Sequence, residues 1–323
     1  MKMNHHVCVL INLPLVIVNI MTNAFYVFCM VCPRHAERIK QPLKFLLLSL
    51  ISCTIGYLMT ITVMFFFDLS ESSKLTQILY LVSACTLNIS MTSSVWLNLF
   101  YYTQIVPAQH ALFVWIKKNI KSVIYCICLL ERTFYLFDFT VVFLNDIYFS
   151  GFGFSNNFTM DHDTLMSEGR HLKWLTYIHI FETATIKAYF FFCLVVMLMS
   201  SGSTVVYLSR HVGRMVAQGH SLSCPRFRGQ VRVTVTGILQ GVQYAICAVW
   251  IVFNFFSQQI STSFISPYIH YTVINLYMSG TTVNLGIGMV VFRRRAADIW
   301  IRATQWRKTQ QQHNKEDDTE AQT

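Results

Sequence analysis

The chain has 323 residues, of which 54% are hydrophobic and 12% charged, with a mean hydropathy of +0.46. A soluble domain carries about twice that charged fraction, so an ordinary water-soluble globule is excluded. The formal net charge of +10 suggests nucleic acid, but the cations gather between long apolar stretches, where they set membrane topology and face anionic lipid.

Seven apolar stretches follow one another at residues 7–31, 43–67, 77–106, 120–144, 184–208, 233–256 and 267–292. Each is about 20 residues or longer, and at about 1.5 Å per residue that crosses a hydrocarbon core of about 30 Å. Inside lipid the backbone must satisfy its own hydrogen bonds. The stretches are too long and too continuous for the alternating strands of a membrane barrel, so each is expected to be a helix. The fold class is an all-α membrane protein, a seven-transmembrane helical bundle.

Nineteen of the 25 Lys and Arg residues lie in one alternating set of segments: around 34–44, 117–121, 210–232 and beyond 293. The other set, made of the start of the chain and the segments near 68–76, 145–183 and 257–266, holds only Lys2, Lys74, Arg170 and Lys173. Basic segments stay inside, so the N-terminus is expected outside and the C-terminus in the cytoplasm. The first apolar run is too long for a signal-peptide core and serves as its own insertion signal. Residues 1–292 form the membrane domain. Residues 293–323 are a cytoplasmic tail, in which Ala296, Ile299, Trp300 and Ala303 share one helical face and Arg295 and Arg302 another. That pattern predicts a short amphipathic helix on the inner membrane surface, then a disordered polar end.

Ten cysteines are spread over helices and basic segments, and the outer segment 145–183 has none, so a disulfide pinning that loop to the third helix is excluded. Cys32 and Cys224 are open either to palmitoylation or to a plain structural role. Asn157-Phe158-Thr159 is a glycosylation sequon in the longest outward loop. Asn88-Ile89-Ser90 has the same pattern inside the third apolar run, where it is expected to stay unmodified. No zinc-type Cys/His spacing, phosphate loop or nucleophile elbow appears; the expectation is a non-enzyme without cofactor or metal. Charge in lipid is costly, which singles out Glu131, Arg132, Asp138 and Lys187. Glu131 and Asp138, seven residues apart, share a helix face with Tyr135, either as a cavity wall or as interhelical hydrogen-bonding groups. Lys187 either snorkels to the interface or presents a cation to a ligand.

From Phe100 the chain reads FYYTQIVPAQHALFVWIKKNI. This resembles, without a gap through Lys117, the Phe-Tyr-Phe-Leu-Lys-Ile-Ala…Phe-Leu-x-Leu-Lys signature of type 2 (bitter) taste receptors. Leu208-x-x-His211-x-x-x-Met215, then Pro225 and Gln230-Val231-Arg232, resembles that family's Leu-x-x-His-x-x-x-Met…Pro…His-x-Arg pattern. The Asp-Arg-Tyr, Trp-x-Pro and Asn-Pro-x-x-Tyr motifs of rhodopsin-like receptors are missing, as they are in bitter receptors. Cys53, Gln104 and the pair Val283-Asn284 depart from the family pattern. The resemblance implies a G-protein-coupled receptor of the plasma membrane, with a small bitter agonist and a gustducin-like heterotrimeric G protein as partners. It also implies switching or G-protein contact at Tyr101, Phe113, Lys117, His211, Met215 and Arg232, positions that packing and the inside rule would explain equally.

Polar and aromatic groups in the outer halves of the helices are the guide to a ligand site. They are Asn88 and Thr92 on the third helix, Lys187 on the fifth, Tyr244, Trp250 and Asn254 on the sixth, and Tyr271 and Asn275 on the seventh, with Tyr268 one turn before Tyr271. The neighbouring alternatives are a vomeronasal type-1-like pheromone receptor and, from another class, a small-solute transporter or channel, which the lack of an inverted repeat disfavours.

Overall fold

The computed structural model describes residues 5–32, 39, 41–67, 74–107, 111–154, 162–217, 225–260 and 267–320. Among them there is helix and no strand. The helices are α1 (His5–Val31), α2 (Gln41–Phe67), α3 (Lys74–Ile105), α4 (Ala111–Lys118), α5 (Ile120–Phe154), α6 (His162–Ala217), α7 (Pro225–Ile260), α8 (Pro267–Gly288) and α9 (Val290–Glu320). Each of the first six apolar stretches falls on one helix. The seventh is divided at Met289, which is non-helical although its amide still bonds to the Leu285 carbonyl at 3.0 Å.

By length and composition, α1, α2, α3, α6 and α7 contain segments long and apolar enough to cross a membrane. The stretches on α5 and α8 are more polar, carrying Glu131, Arg132 and Asp138 in one and His270, Asn275 and Asn284 in the other.

The segment 145–183, expected as a long loop, is mostly helix: α5 runs on to Phe154 and α6 begins at His162. Glu168, Leu172, Lys173 and Leu175 are good helix formers, which suits the 56-residue α6. The tail also differs from expectation, because α9 is one helix as far as Glu320 rather than a short surface helix before a disordered end. Arg295 of α9 donates to the Cys32 carbonyl at the end of α1.

In the bundle α1 packs on α2 and α8, α2 on α5, α5 on α6, α6 on α7 and α7 on α8, which closes a ring. α3 runs through it, touching α2, α5, α6 and α7, with the short α4 at its end. Burial is inverted relative to a soluble protein. Leu10, Leu130 and Phe181 are 76%, 73% and 74% exposed, while Asn12 and Asn275 are fully buried. An apolar coat around buried amides is the arrangement that lipid selects, since lipid tails are as apolar as leucine and helix association then relies on close packing and hydrogen bonds.

The core has two layers. At the amino-terminal end Tyr57, Ile61, Met91, Met197, Tyr244, Cys247 and Ile274 pack together. At the opposite, basic end the cluster is Met30, Leu46, Leu50, Trp96, Phe100, Ile124 and Phe292. The Tyr26 ring stacks on Phe292 at 4.3 Å, and its hydroxyl donates to the Thr282 carbonyl at 3.1 Å. Gly286 of α8 lies directly against that hydroxyl, so a side chain there would displace the Tyr26 ring tip from its bond to Thr282.

Candidate functional site

The buried polar groups form seams between helices. Along α1, Asn12 donates to Thr272 at 2.9 Å and accepts from Asn275 at 2.8 Å. Asn19 donates to Ser279 at 3.3 Å, and Asn23 to Thr282 at 3.0 Å. Asn98 joins α3 to α6 through Ser201 at 2.7 Å and Ser200 at 3.2 Å. Between α7 and α8, Gln240 donates to Thr281 at 3.1 Å, while Asn284 donates to the Thr236 carbonyl at 2.7 Å and to Gln240 Oε1 at 3.1 Å.

Glu131 joins three helices. Its carboxylate accepts from Trp96 Nε1 at 2.8 Å, from Thr92 at 3.2 Å and from the Tyr189 hydroxyl, so it ties α5 to α3 and α6. Arg132 turns the other way, donating to Ser49 on α2 and lying 5.8 Å over the Phe45 ring. Ser49 in turn is 3.0 Å from Ser93 of α3. The two adjacent charges therefore serve different helix pairs.

The ligand candidates divide among these surroundings. Thr92 is bonded to Glu131, and Asn275 is committed to α1 through Asn12. Tyr244 is fully buried, stacks on Phe190 at 5.4 Å and donates to the Phe190 carbonyl at 3.3 Å. Asn88 is half-buried and its side chain makes no hydrogen bond among the described residues. Asn254 is half-buried near the end of α7, and Lys187 is exposed on α6. Trp250 and Tyr271 pack against the amino-end core, where Tyr271 meets Phe65 edge-on at 6.2 Å.

In and around that core Tyr57 Oη, Trp250 Nε1, His270 Nδ1 and Asn275 Oδ1 are buried polar atoms with no hydrogen-bond partner among the described residues. Tyr57 and His270 were not among the groups expected from sequence. Tyr57 sits in an almost wholly apolar run of α2, and aromatic groups near helix ends such as His270 read first as interfacial anchors.

At the basic end, a cleft of about 770 Å³ between α3, α4 and α6 brings together Phe113, Lys117 and His211 with Tyr102, Tyr207, Arg210 and Arg214. Tyr102 and Phe113 meet edge-on at 5.7 Å. Tyr101 faces inward instead, donating to the Met289 sulfur at 2.9 Å, where α8 gives way to α9. It borders a small cavity of about 40 Å³ shared with Asn98, Gln240 and Asn284. Arg232 is half-buried on α7 and its carbonyl accepts from Thr236 at 3.1 Å. The Met215 side chain and Asn157 lie outside the described residues.

Among the described residues no cluster of His, Cys, Asp or Glu could hold a metal ion, and the nine described cysteines are free thiols.

An apolar exterior and amide seams inside define a helical membrane protein. The chain belongs to the taste receptor protein family (TAS2R), whose model matches residues 1–303. It is thus a bitter taste receptor, a G-protein-coupled receptor of sensory transduction, in a family of receptors rather than enzymes. No curated protein matches the chain.

Proposed function

We propose that this receptor crosses the plasma membrane seven times, with its N-terminus outside and its C-terminus in the cytoplasm. It binds small bitter molecules among the outer halves of its helices and activates a gustducin-like heterotrimeric G protein. The observation that carries the ligand site is the group of unpartnered buried polar atoms on Tyr57, Trp250 and His270, in the same outer region as Tyr271. Burying a polar atom without a partner is costly, and a ligand that supplies the missing hydrogen bonds recovers that cost. Asn88, Thr92, Lys187, Tyr244, Asn254 and Asn275 are the remaining proposed contacts or supports. Tyr101, Phe113, Lys117, His211, Met215 and Arg232 are the proposed switch and coupling residues.

An agonist works here by binding the active bundle more tightly than the inactive one, and the G protein reciprocates from the inner face. A calcium-release screen of a broad bitter panel, in cells supplied with a gustducin-like G protein, tests the activity. A receptor at the surface that answers no compound, while a known bitter receptor in the same cells does, counts against it. Sidedness is tested separately. Enzymatic deglycosylation is expected to shift the wild type on a gel and leave Asn157→Gln unmoved, and a shift remaining in that variant overturns the assignment.

A further inference from the structure

We infer that the cleft between α3, α4 and α6 is a binding site for an inner-leaflet phospholipid whose head group carries phosphomonoesters. The inference rests on the sidedness proposed above, with the basic end in the cytoplasm.

The cleft has two chemically distinct parts. At its outer rim along the helix ends stand Lys117 of α4 and Arg210, His211 and Arg214 of α6, and among the described residues no Asp or Glu lines it. Arg210 and Arg214 are one helical turn apart, so both present to the same side. The His211 ring is held parallel to Tyr207, with centroids 6.1 Å apart and planes at 6°. Towards the middle of the bundle the lining becomes a trough of Met199, Gly202 and Val206, spaced three and four residues apart on one face. Met199 and Val206 are 66% and 49% exposed, and a Cβ on Gly202 would meet nothing within 4 Å. The trough is therefore open sideways to lipid.

From Met199 to Arg214 is 15 residues, about 22 Å of helix, which is roughly the thickness of one leaflet's hydrocarbon plus its head-group layer. An acyl chain fits the trough while the head group meets the cations. A zwitterionic head brings one phosphate together with its own cation, and so leaves this cluster uncompensated. A phosphomonoester-bearing head offers several acceptor oxygens and more than one negative charge to Lys117, Arg210 and Arg214 through charge-assisted hydrogen bonds. The Tyr101 face of α3, with its inward cavity against α7 and α8, is a different surface. A lipid in the cleft would thus bridge α4 to α6 from the membrane side.

The test uses the purified full chain in uncharged detergent, reading thermal stabilisation as a function of added probe. Both faces are reachable in detergent, so failure here speaks of the cleft alone, while failure of the sidedness is read by the Asn157 glycan. Dioctanoyl phosphatidylinositol 4,5-bisphosphate is expected to raise the melting temperature saturably, and dioctanoyl phosphatidylcholine is not. The double variant Arg210→Gln, Arg214→Gln, monodisperse and melting as the wild type does without probe, is expected to lose about thirtyfold in affinity, from about 1 kcal/mol per cation. Val206→Trp fills the trough, and is expected to weaken the lipid while leaving free inositol 1,4,5-trisphosphate as it was. Undiminished affinity in the arginine variant, equal stabilisation by the phosphatidylcholine, or free trisphosphate binding as tightly as the lipid would each overturn the proposal, the last by making it a soluble-anion site. If the arginine variant does not fold, the Val206→Trp comparison still decides.

Discussion

Replacing Glu131 with leucine is the sharpest probe of what holds this bundle. The change removes the acceptor for Trp96 Nε1, Thr92 and Tyr189 and leaves at least the Trp96 and Tyr189 donors unpaired between α3, α5 and α6. Interhelical hydrogen bonds in membranes average about 0.6 kcal/mol and reach about 1.7 kcal/mol, so three of them amount to roughly 2 to 5 kcal/mol. At about 2 °C per kcal/mol for a chain of this size, the melting temperature in detergent is expected to fall by about 4 to 10 °C. Glu131→Gln keeps one carbonyl oxygen for Trp96, and is expected to fall by about half as much. A double-mutant cycle with Tyr189→Phe isolates one of the three bonds and is expected to give a coupling energy of about 0.5 kcal/mol or more. A melting temperature for Glu131→Leu within about 1 °C of wild type, or a coupling energy near zero, refutes the reasoning. Agonist potency, normalised to surface label, separates the remaining roles. Unchanged potency with lowered stability makes Glu131 a packing residue, and lowered potency at equal surface density makes it part of a cavity wall.

Asn88→Leu removes a half-buried amide that no hydrogen bond engages among the described residues, and as a ligand contact its loss is expected to lower potency by one to two decades, from about 1 to 3 kcal/mol. Unchanged potency for two chemically distinct agonists takes it out of the site. Asn12→Leu breaks the bonds to Thr272 and Asn275 and is expected to lower the melting temperature by a few degrees, about 1 to 2 kcal/mol, with potency unaltered. A matching potency loss in Asn12→Leu and Asn275→Leu would instead put that pair in the ligand wall. Arg232→Ala is expected to weaken the calcium response at equal surface density, and normal signalling would reduce it to a topology determinant. Tyr101→Phe deletes the hydroxyl bonded to Met289 and is expected to change the maximal response while leaving agonist binding as it was, a readout that mere packing would not move.

The helices were legible because lipid leaves the backbone few options and writes long apolar runs into the chain. What lies inside the bundle was less legible. Asn12, Asn19 and Asn23 recur at seven and four residues along α1, a polar stripe whose period points to one helix face, yet nothing in the sequence says that its partners are Thr272, Ser279 and Thr282. Partners some 260 residues away are a product of the ring closing, and spacing along one helix carries no record of it. Glu131 and Arg132 were visible as charges in lipid, and the turn of about 100° between them meant that the two need not pair, but did not say which helices each would join. The helical course of 145–154 and 162–183 was missed because loop was inferred from polarity, although a polar sequence outside the membrane is free to continue a helix. Phe113, Lys117 and His211 came from a resemblance in sequence alone, and their meeting in one cleft follows from α4 and α6 lining opposite sides of the space beside the end of α3.

The distribution of polar groups also bears on how a ligand at one end could be felt at the other. The two apolar layers are each close-packed and so resist gradual deformation. Between them lies a belt of exchangeable hydrogen bonds, Ser94 and Tyr277 at 3.4 Å, Asn98 with the α6 serines, and Gln240 with Thr281 and Asn284, and it adjoins the bond of Tyr101 to Met289 at the edge of the basic-end layer. Donors and acceptors are dense there, and the small cavity beside them gives side chains room to change partners without opening a void. A helix that rotates slightly can trade one bond in the belt for another at little net cost, whereas the same rotation within either apolar layer forfeits packing outright. The belt reaches α3, α6, α7 and α8 and ends where α8 breaks at Met289. That places the most easily altered contacts of the bundle between the proposed ligand region and the basic end, and it makes Met289, with its partner Tyr101, the point where such a change passes to α9.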